Sequence, residues 1–188
     1  MTVPYRLAGD TIGPEEIAAA KEVLDSGFFT MGTRVRQFER EFADWVGARH
    51  GVMVNSGSSA NLLLAEALLR GARRPGPLQP GDEVLVPALA WPTTVWPLVQ
   101  LGLVPVFVDI DPRTLGLDLE SARTALGHRT RAVFVIHPLG RALDLTALEP
   151  FCSADGLVLL EDTCESLGAH SGGRHAGTAG WGGSYSFF

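Results

Sequence analysis

Four short apolar runs recur along the chain: EVLVPA (83–88), VPVFVDI (104–110), RAVFVIH (131–137) and GLVLLED (156–162). Each is rich in β-branched residues and leucine, without the polar alternation of a half-exposed strand. Segments of helical pattern lie between them: TTVWPLVQLG (93–102), Leu119–Leu126 and Leu145–Ser153. Runs that are apolar on both faces fit strands buried on both sides, and the helices supply the crossovers that parallel strands need. The spacing therefore predicts an α/β fold of three layers, a mostly parallel sheet covered on both faces.

The region upstream reads as further parts of the same unit. Residues 14–26 start with proline and two acids and stop before Gly27, which marks a helix. FFTMGTRV (28–35) is a loop. RVRQFEREFADWVG (34–47) sets Val35, Phe38, Phe42 and Trp45/Val46 on one stripe of an amphipathic helix. A short buried strand is expected at Gly51–Val54, a polar turn at Asn55–Ser59 and a long apolar helix at Ala60–Arg70. The Pro- and Gly-dense segment 72–82 is a loop.

With 46% hydrophobic and 19% charged residues, the chain is globular. A net charge of −6 argues against nucleic acid or an anionic membrane as partner. Cys152 and Cys164 form no disulfide framework, no signal-like segment opens the chain, and no apolar run approaches the roughly 20 residues that span a bilayer. A cytoplasmic location is expected. Lys21 is the sole lysine, on a helix face patterned for solvent.

In sheets of this kind ligands gather beyond the carboxyl ends of the strands. Those ends carry Asn55–Ser59, Pro87–Trp91, Asp109–Asp111, His137 and Glu161-Asp162. NSGSSANLLL joins a strand to a helix, so Ser58 and Ser59 stand where N–H groups and the helix dipole attract an anion; they also fit ordinary capping. Trp91 could stack on a flat ring, though taken alone a tryptophan there reads first as a core residue. Asp162 at the end of a buried strand needs a partner, such as a protonated ring nitrogen or a helix cap. Glu165 lies three residues on. His137 reads as a structural hydrogen-bonding group, and Cys164 as packing.

Together these residues resemble the DegT/DnrJ/EryC1/StrS family of sugar aminotransferases. The matching stretches are MGTRVRQFEREFADWVGARHGVMVNSGSSANLLL, QPGDEVLVPALAWPTTVWPLVQLGLVPVFVDIDPRTLGLD, HPLGRALDL and LEDTCESLGAHSGGRHAGTAGWGGSYSFF. The resemblance implies the large domain of the fold-type-I transferases that depend on pyridoxal 5'-phosphate, cycling through pyridoxamine 5'-phosphate. It implies a division into an N-terminal helix and arm (1–33) and an incomplete cofactor-binding domain (34–188), truncated before a C-terminal small domain. Ser58, Ser59 and Ser186 fall where the family holds the cofactor phosphate, Trp91 where an aromatic stacks on the ring, and Asp162 where a carboxylate pairs with the ring nitrogen. Cys164 falls near the opposite ring face. Glu165 replaces a frequent glutamine that reaches the phenolic oxygen. No catalytic residue is assigned within the chain, because the family's Schiff-base lysine lies a few residues beyond Ser186, past Phe188.

The implied reaction is amination of a nucleotide-linked keto-deoxy sugar, with an amino donor and a homodimeric enzyme. SGSSANLLL, WPTTVWP and GLVPVFVDID also look like the 3-dehydratase branch, in which a histidine takes the lysine's place. The aminotransferase, as the broader class, is the main expectation and the sugar 3-dehydratase the alternative. A different reading is a non-catalytic remnant, whose sheet would expose an apolar strand at its end.

Overall fold

The computed structural model describes residues 9, 11–71 and 78–187. Its elements in chain order are α1 (Pro14–Ser26), α2 (Thr33–Val46), α3 (Gly57–Leu69), β1 (Glu83–Pro87), α4 (Pro92–Gln100), β2 (Val104–Val108), α5 (Leu119–Ala125), β3 (Thr130–Ile136), α6 (Leu148–Ala154), β4 (Val158–Asp162), β5 (His170–Ser171), β6 (Arg174–His175) and β7 (Gly182–Ser184). Five strands form one sheet in the order β2-β1-β3-β4-β7, each neighbouring pair parallel. β5 and β6 form a separate antiparallel pair.

Both faces of the sheet are covered, which is why its runs lack polar alternation. On one face Leu85, Val133, Val135 and Leu159 pack with Ala122 of α5 and Phe151 and Cys152 of α6. On the other, Val84, Val86, Ala132, Phe134 and Leu160 pack with Ala65 and Leu68 of α3 and Leu98 of α4. Successive residues of one strand thus serve different cores, as the two-residue period requires. The three-layer, mostly parallel α/β fold expected from the sequence is the fold observed.

Besides the short β5–β6 pair, which the sequence reading did not include, two strands depart from the sequence-based expectation. Gly51–Val54 is irregular, with Val52 and Met53 exposed. A strand needs a neighbour's donors and acceptors, and among the described residues the sheet edge on the β4 side is β7. The Met53 N–H donates instead to Glu39 Oε1 on α2, at 2.9 Å. Conversely, strand propensity gives no warning of β7, a Gly-Gly-Ser segment. Close approach explains its glycines: a Cβ on Gly183 would stand 2.3 Å from the carbonyl oxygen of Gly177.

Helix boundaries move for local reasons. α3 starts at Gly57, so the expected polar turn is its cap and first turn, with Ser56 Oγ accepting from the Ser59 N–H at 3.1 Å. α6 starts at Leu148, after a turn in which Asp144 Oδ1 accepts from the Thr146 N–H. α1 forms over the expected residues but buries none of them, and Lys21 is exposed.

On α2 the aromatic stripe finds its partners at the far end of the chain. Phe42 meets Tyr185 and Phe187 edge-on, and Phe38 meets Phe187 likewise. Residues 185–187 are therefore irregular rather than a strand, with Tyr185 half-buried and Phe187 in ring contact yet still exposed. Trp45 is half exposed, tilted over His175. Residues 1–8 and 10 of the expected arm, 72–77 of the expected loop, and Phe188 lie outside the described residues.

Candidate active site

At the carboxyl end of β4 the chain sends two adjacent acids to opposite faces. Glu161 is fully buried on one side, where Oε2 meets His137 Nε2 at 2.9 Å and accepts from the Gly177 N–H at 2.8 Å. Its Oε1 accepts from the N–H groups of Ala179 and Gly180. Burial pushes this carboxyl up, but the bonds from His137, Gly180 and Gly177 outweigh it, and the group sits below the usual glutamate range. His137 Nδ1 accepts from the Leu143 N–H at 3.0 Å, which places the ring proton on Nε2, toward Glu161. The expected structural role of His137 is the one observed.

Asp162, on the opposite face, is 4% exposed. Its Oδ2 accepts from Asn61 Nδ2 at 2.8 Å and from the Thr94 hydroxyl at 2.7 Å, and its Oδ1 from the Cys164 N–H at 3.1 Å. All three donors are neutral. No ion pair among the described residues includes Asp162. A buried carboxyl group of this kind is satisfied by hydrogen bonds but has no cationic partner among the described residues.

Around it the other expected residues are brought to the same end of the sheet. A Cβ on Gly57, the first residue of α3, would lie 2.6 Å from Cys164 Sγ and 2.9 Å from Ser186 Cβ. The helix start that carries Ser58 and Ser59 is thus pressed against Cys164 and Ser186. Ser58 is exposed, and Ser59 Oγ accepts from the Ser56 hydroxyl at 3.2 Å. Serine hydroxyls grouped at the start of a 13-residue helix suit a phosphate. Burial pushes the Cys164 thiol up and Asp162 adds to the shift, so the sulfur is a neutral packing group.

Trp91, 67% exposed, stands at the N-cap of α4, and its carbonyl accepts from the N–H of Thr94, the residue that bonds to Asp162. The indole stands exposed one helical turn before that threonine. Glu165 is exposed, and its Oε2 accepts from the Leu139 N–H at 2.9 Å. That bond anchors the turn after β3, where Leu139 takes the left-handed conformation at φ 51° with its side chain in solvent. An open concavity lies elsewhere, beside α6 and β4, among Cys152, Leu157, Leu159 and Trp181. It contains none of the expected residues.

Asn61, Thr94 and Ser184 escaped the sequence reading. All three are buried, and the Ser184 hydroxyl donates to Asn61 Oδ1. The one available signal was Asn61 itself, an amide set among the leucines of SANLLL.

At its carboxyl edge the parallel sheet of this α/β protein thus gathers a serine-rich helix start, an exposed indole and a buried carboxyl group without an ion pair among the described residues. The chain belongs to the DegT/DnrJ/EryC1/StrS aminotransferase family, whose model matches residues 10–188. It is 41% identical over 186 residues to the GDP-4-keto-6-deoxy-D-mannose 3-dehydratase of Yersinia pseudotuberculosis, covering 99% of this chain and 47% of that one. Its structure resembles GDP-4-keto-6-deoxymannose-3-dehydratase (ColD) with bound GDP-perosamine, at TM-score 0.93 and 42% identity, over 98% of this chain and 47% of that one. It also resembles the E coli GDP-4-keto-6-deoxy-D-mannose-3-dehydratase with bound hydrated PLP, at TM-score 0.88 and 42% identity, over 96% and 46%. An aminotransferase, TlmJ from Streptoalloteichus hindustanus, matches at TM-score 0.84 with 34% identity, over 95% and 47%. The chain spans about half the length of the curated relatives it matches. Among the described residues no helix is long and apolar enough to cross a membrane.

Proposed function

We propose that this chain forms the cofactor-binding part of a pyridoxal-phosphate-dependent nucleotide-sugar 3-dehydratase, which removes the C3 hydroxyl of a GDP-linked 4-keto-6-deoxy sugar. The main expectation from the sequence, an aminotransferase, gives way to its alternative. The observation that carries the change is identity: 41% and 42% with two GDP-4-keto-6-deoxy-D-mannose 3-dehydratases, against 34% with the aminotransferase structure.

The residues fit the cofactor. Asp162 holds the ring-nitrogen cation, since it is a buried anion with neutral donors only. The α3 start, with Ser58 and Ser59 and with Ser186 packed against it, holds the phosphate. Trp91 covers one ring face, and Glu165, tied to the turn after β3, faces the rim of the same site. When bound, the cofactor supplies an electron sink, and Asp162 sustains it by keeping the ring nitrogen protonated. Residues 34–188 make up this domain and 1–33 its leading helix and arm. The exposed apolar side chains of α1 and the following loop, Ile17, Leu24, Phe28, Phe29 and Met31, form part of a homodimer surface.

The test uses the full-length protein with GDP-4-keto-6-deoxymannose, the cofactor and glutamate as amino donor, its product read by mass spectrometry. A dehydratase yields a sugar that has lost the C3 oxygen and kept its ketone, while glutamate is consumed. A product that retains the C3 hydroxyl and gains an amine restores the aminotransferase. Binding of neither cofactor form leaves the non-catalytic reading standing.

A further inference from the structure

We propose that Thr94 and Asn61 are positioning residues, which hold Asp162 by Oδ2 so that Oδ1 is the atom that meets the ring-nitrogen cation. The inference rests on the cofactor reading above and deepens it. Its basis is acceptor capacity: a carboxylate oxygen has room for about two donors. Oδ2 already takes the Asn61 amide at 2.8 Å and the Thr94 hydroxyl at 2.7 Å. Oδ1 takes the Cys164 N–H at 3.1 Å, and one acceptor direction is left.

Neither donor is interchangeable with water or with a flipped group. Asn61 is 1% exposed, Thr94 0% and Ser184 2%. The Asn61 amide is oriented from two sides, since Ser184 donates to its Oδ1 and its Nδ2 also donates to the Thr93 carbonyl at 3.2 Å. A flipped amide would set oxygen against Asp162 and against Thr93, and would turn its NH2 toward a hydroxyl that now donates.

The network also explains how separate contacts to one ligand stay in register. Asn61 lies one helical turn beyond Ser58 on α3, and Thr94 lies one turn beyond Trp91 on α4. Each helix therefore offers its first turn to the cofactor, phosphate on one and ring face on the other. From the next turn it grips the carboxylate that binds the ring nitrogen. Ser184 adds β7, the strand that runs on to Ser186. A shift of either helix would move Asp162 with it.

The experiment compares Thr94→Val and Thr94→Ser in the full-length protein stripped of cofactor. Pyridoxamine 5'-phosphate is titrated and its affinity read from quenching of tryptophan fluorescence, with melting temperatures recorded alongside. Valine keeps the shape of threonine without its hydroxyl, and serine keeps the hydroxyl without the methyl. The expected result is roughly ten-fold weaker binding for Thr94→Val, the loss of one hydrogen bond to a charged group, with Thr94→Ser restored to the parent affinity. Asn61→Asp, which keeps the acceptor for Ser184 but sets a second carboxylate against Asp162, weakens binding further. Parent-like affinity in Thr94→Val overturns the proposal, as does Thr94→Ser as weak as Thr94→Val, because the methyl would then be what matters. A parent protein that binds no cofactor sinks the cofactor reading itself, and this inference with it.

Discussion

Glu161 and Asp162 are neighbours of the same chemistry, and the strand period gives them opposite work. Glu161 spends its acceptor capacity on His137 and three backbone N–H groups, so it is a clamp on residues 177–180. Asp162 keeps capacity for a ligand. The acidic pair at a strand end was readable in the sequence, as was the need to compensate a buried charge. The residues singled out Asp162; what they did not show is the role of Glu161, because the donors that claim it come from a glycine-rich loop that only the fold brings back. Two substitutions separate the roles. Asp162→Asn leaves the fold in place and weakens pyridoxamine 5'-phosphate binding roughly a hundred-fold or more, as for truncating one side of a buried charge pair; unchanged affinity removes Asp162 from the site. Glu161→Gln cannot accept all four donors and costs about 3 kcal/mol of stability, measured by urea unfolding. The folded-state pKa of Glu161 lies below the ordinary glutamate value of 4.5, so its contribution is present above that pH and lost as pH falls through the depressed value. The stability difference between parent and Glu161→Gln should therefore shrink on acidification below about pH 4.5; a difference that stays constant with pH contradicts the clamp.

Elements announced themselves in the sequence in proportion to how much of their stability is local or patterned. β1 to β4 were legible as apolar runs, α1 from its start and stop signals, α2 from its amphipathic stripe and α5 as a helical segment between strands. β7 was not, because its reason is steric and lies in other segments, above all the carbonyl of Gly177. The opposite failure, Gly51–Val54, has strand-like residues without a neighbour to pair with. Gly57 shows the same dependence within a helix: its hydrogen atom is what lets α3 start against Cys164 and Ser186. Gly57→Ala would thus force the helix start away from both residues. The expected outcome is a loss of about 1–3 kcal/mol, typical of overpacking, together with weaker binding of the cofactor phosphate. A thermal melt and a titration with pyridoxamine 5'-phosphate check it, and an alanine variant that matches its parent in both would mean that α3 and Ser186 are not held in contact.

At the scale of the whole molecule, the two cores account for the sheet and its covering helices but not for the chain's leading segment. α1 buries none of its residues, and the loop after it exposes Phe28, Phe29 and Met31. Apolar side chains gathered in this way mark a surface that another surface covers. Periodicity showed that α1 is a helix; it could not show that nothing in its own chain among the described residues buries it, since an amphipathic pattern looks the same whichever partner receives it. On the homodimer reading, replacing Leu24, Phe28 and Phe29 together with serine should leave the melting of the α/β core nearly unchanged, because none of the three is buried. The same variant should move the full-length protein from dimer toward monomer in sedimentation velocity. A variant that remains fully dimeric shows that α1 lies outside the dimer contact. One whose core melts early shows that these side chains pack within their own subunit.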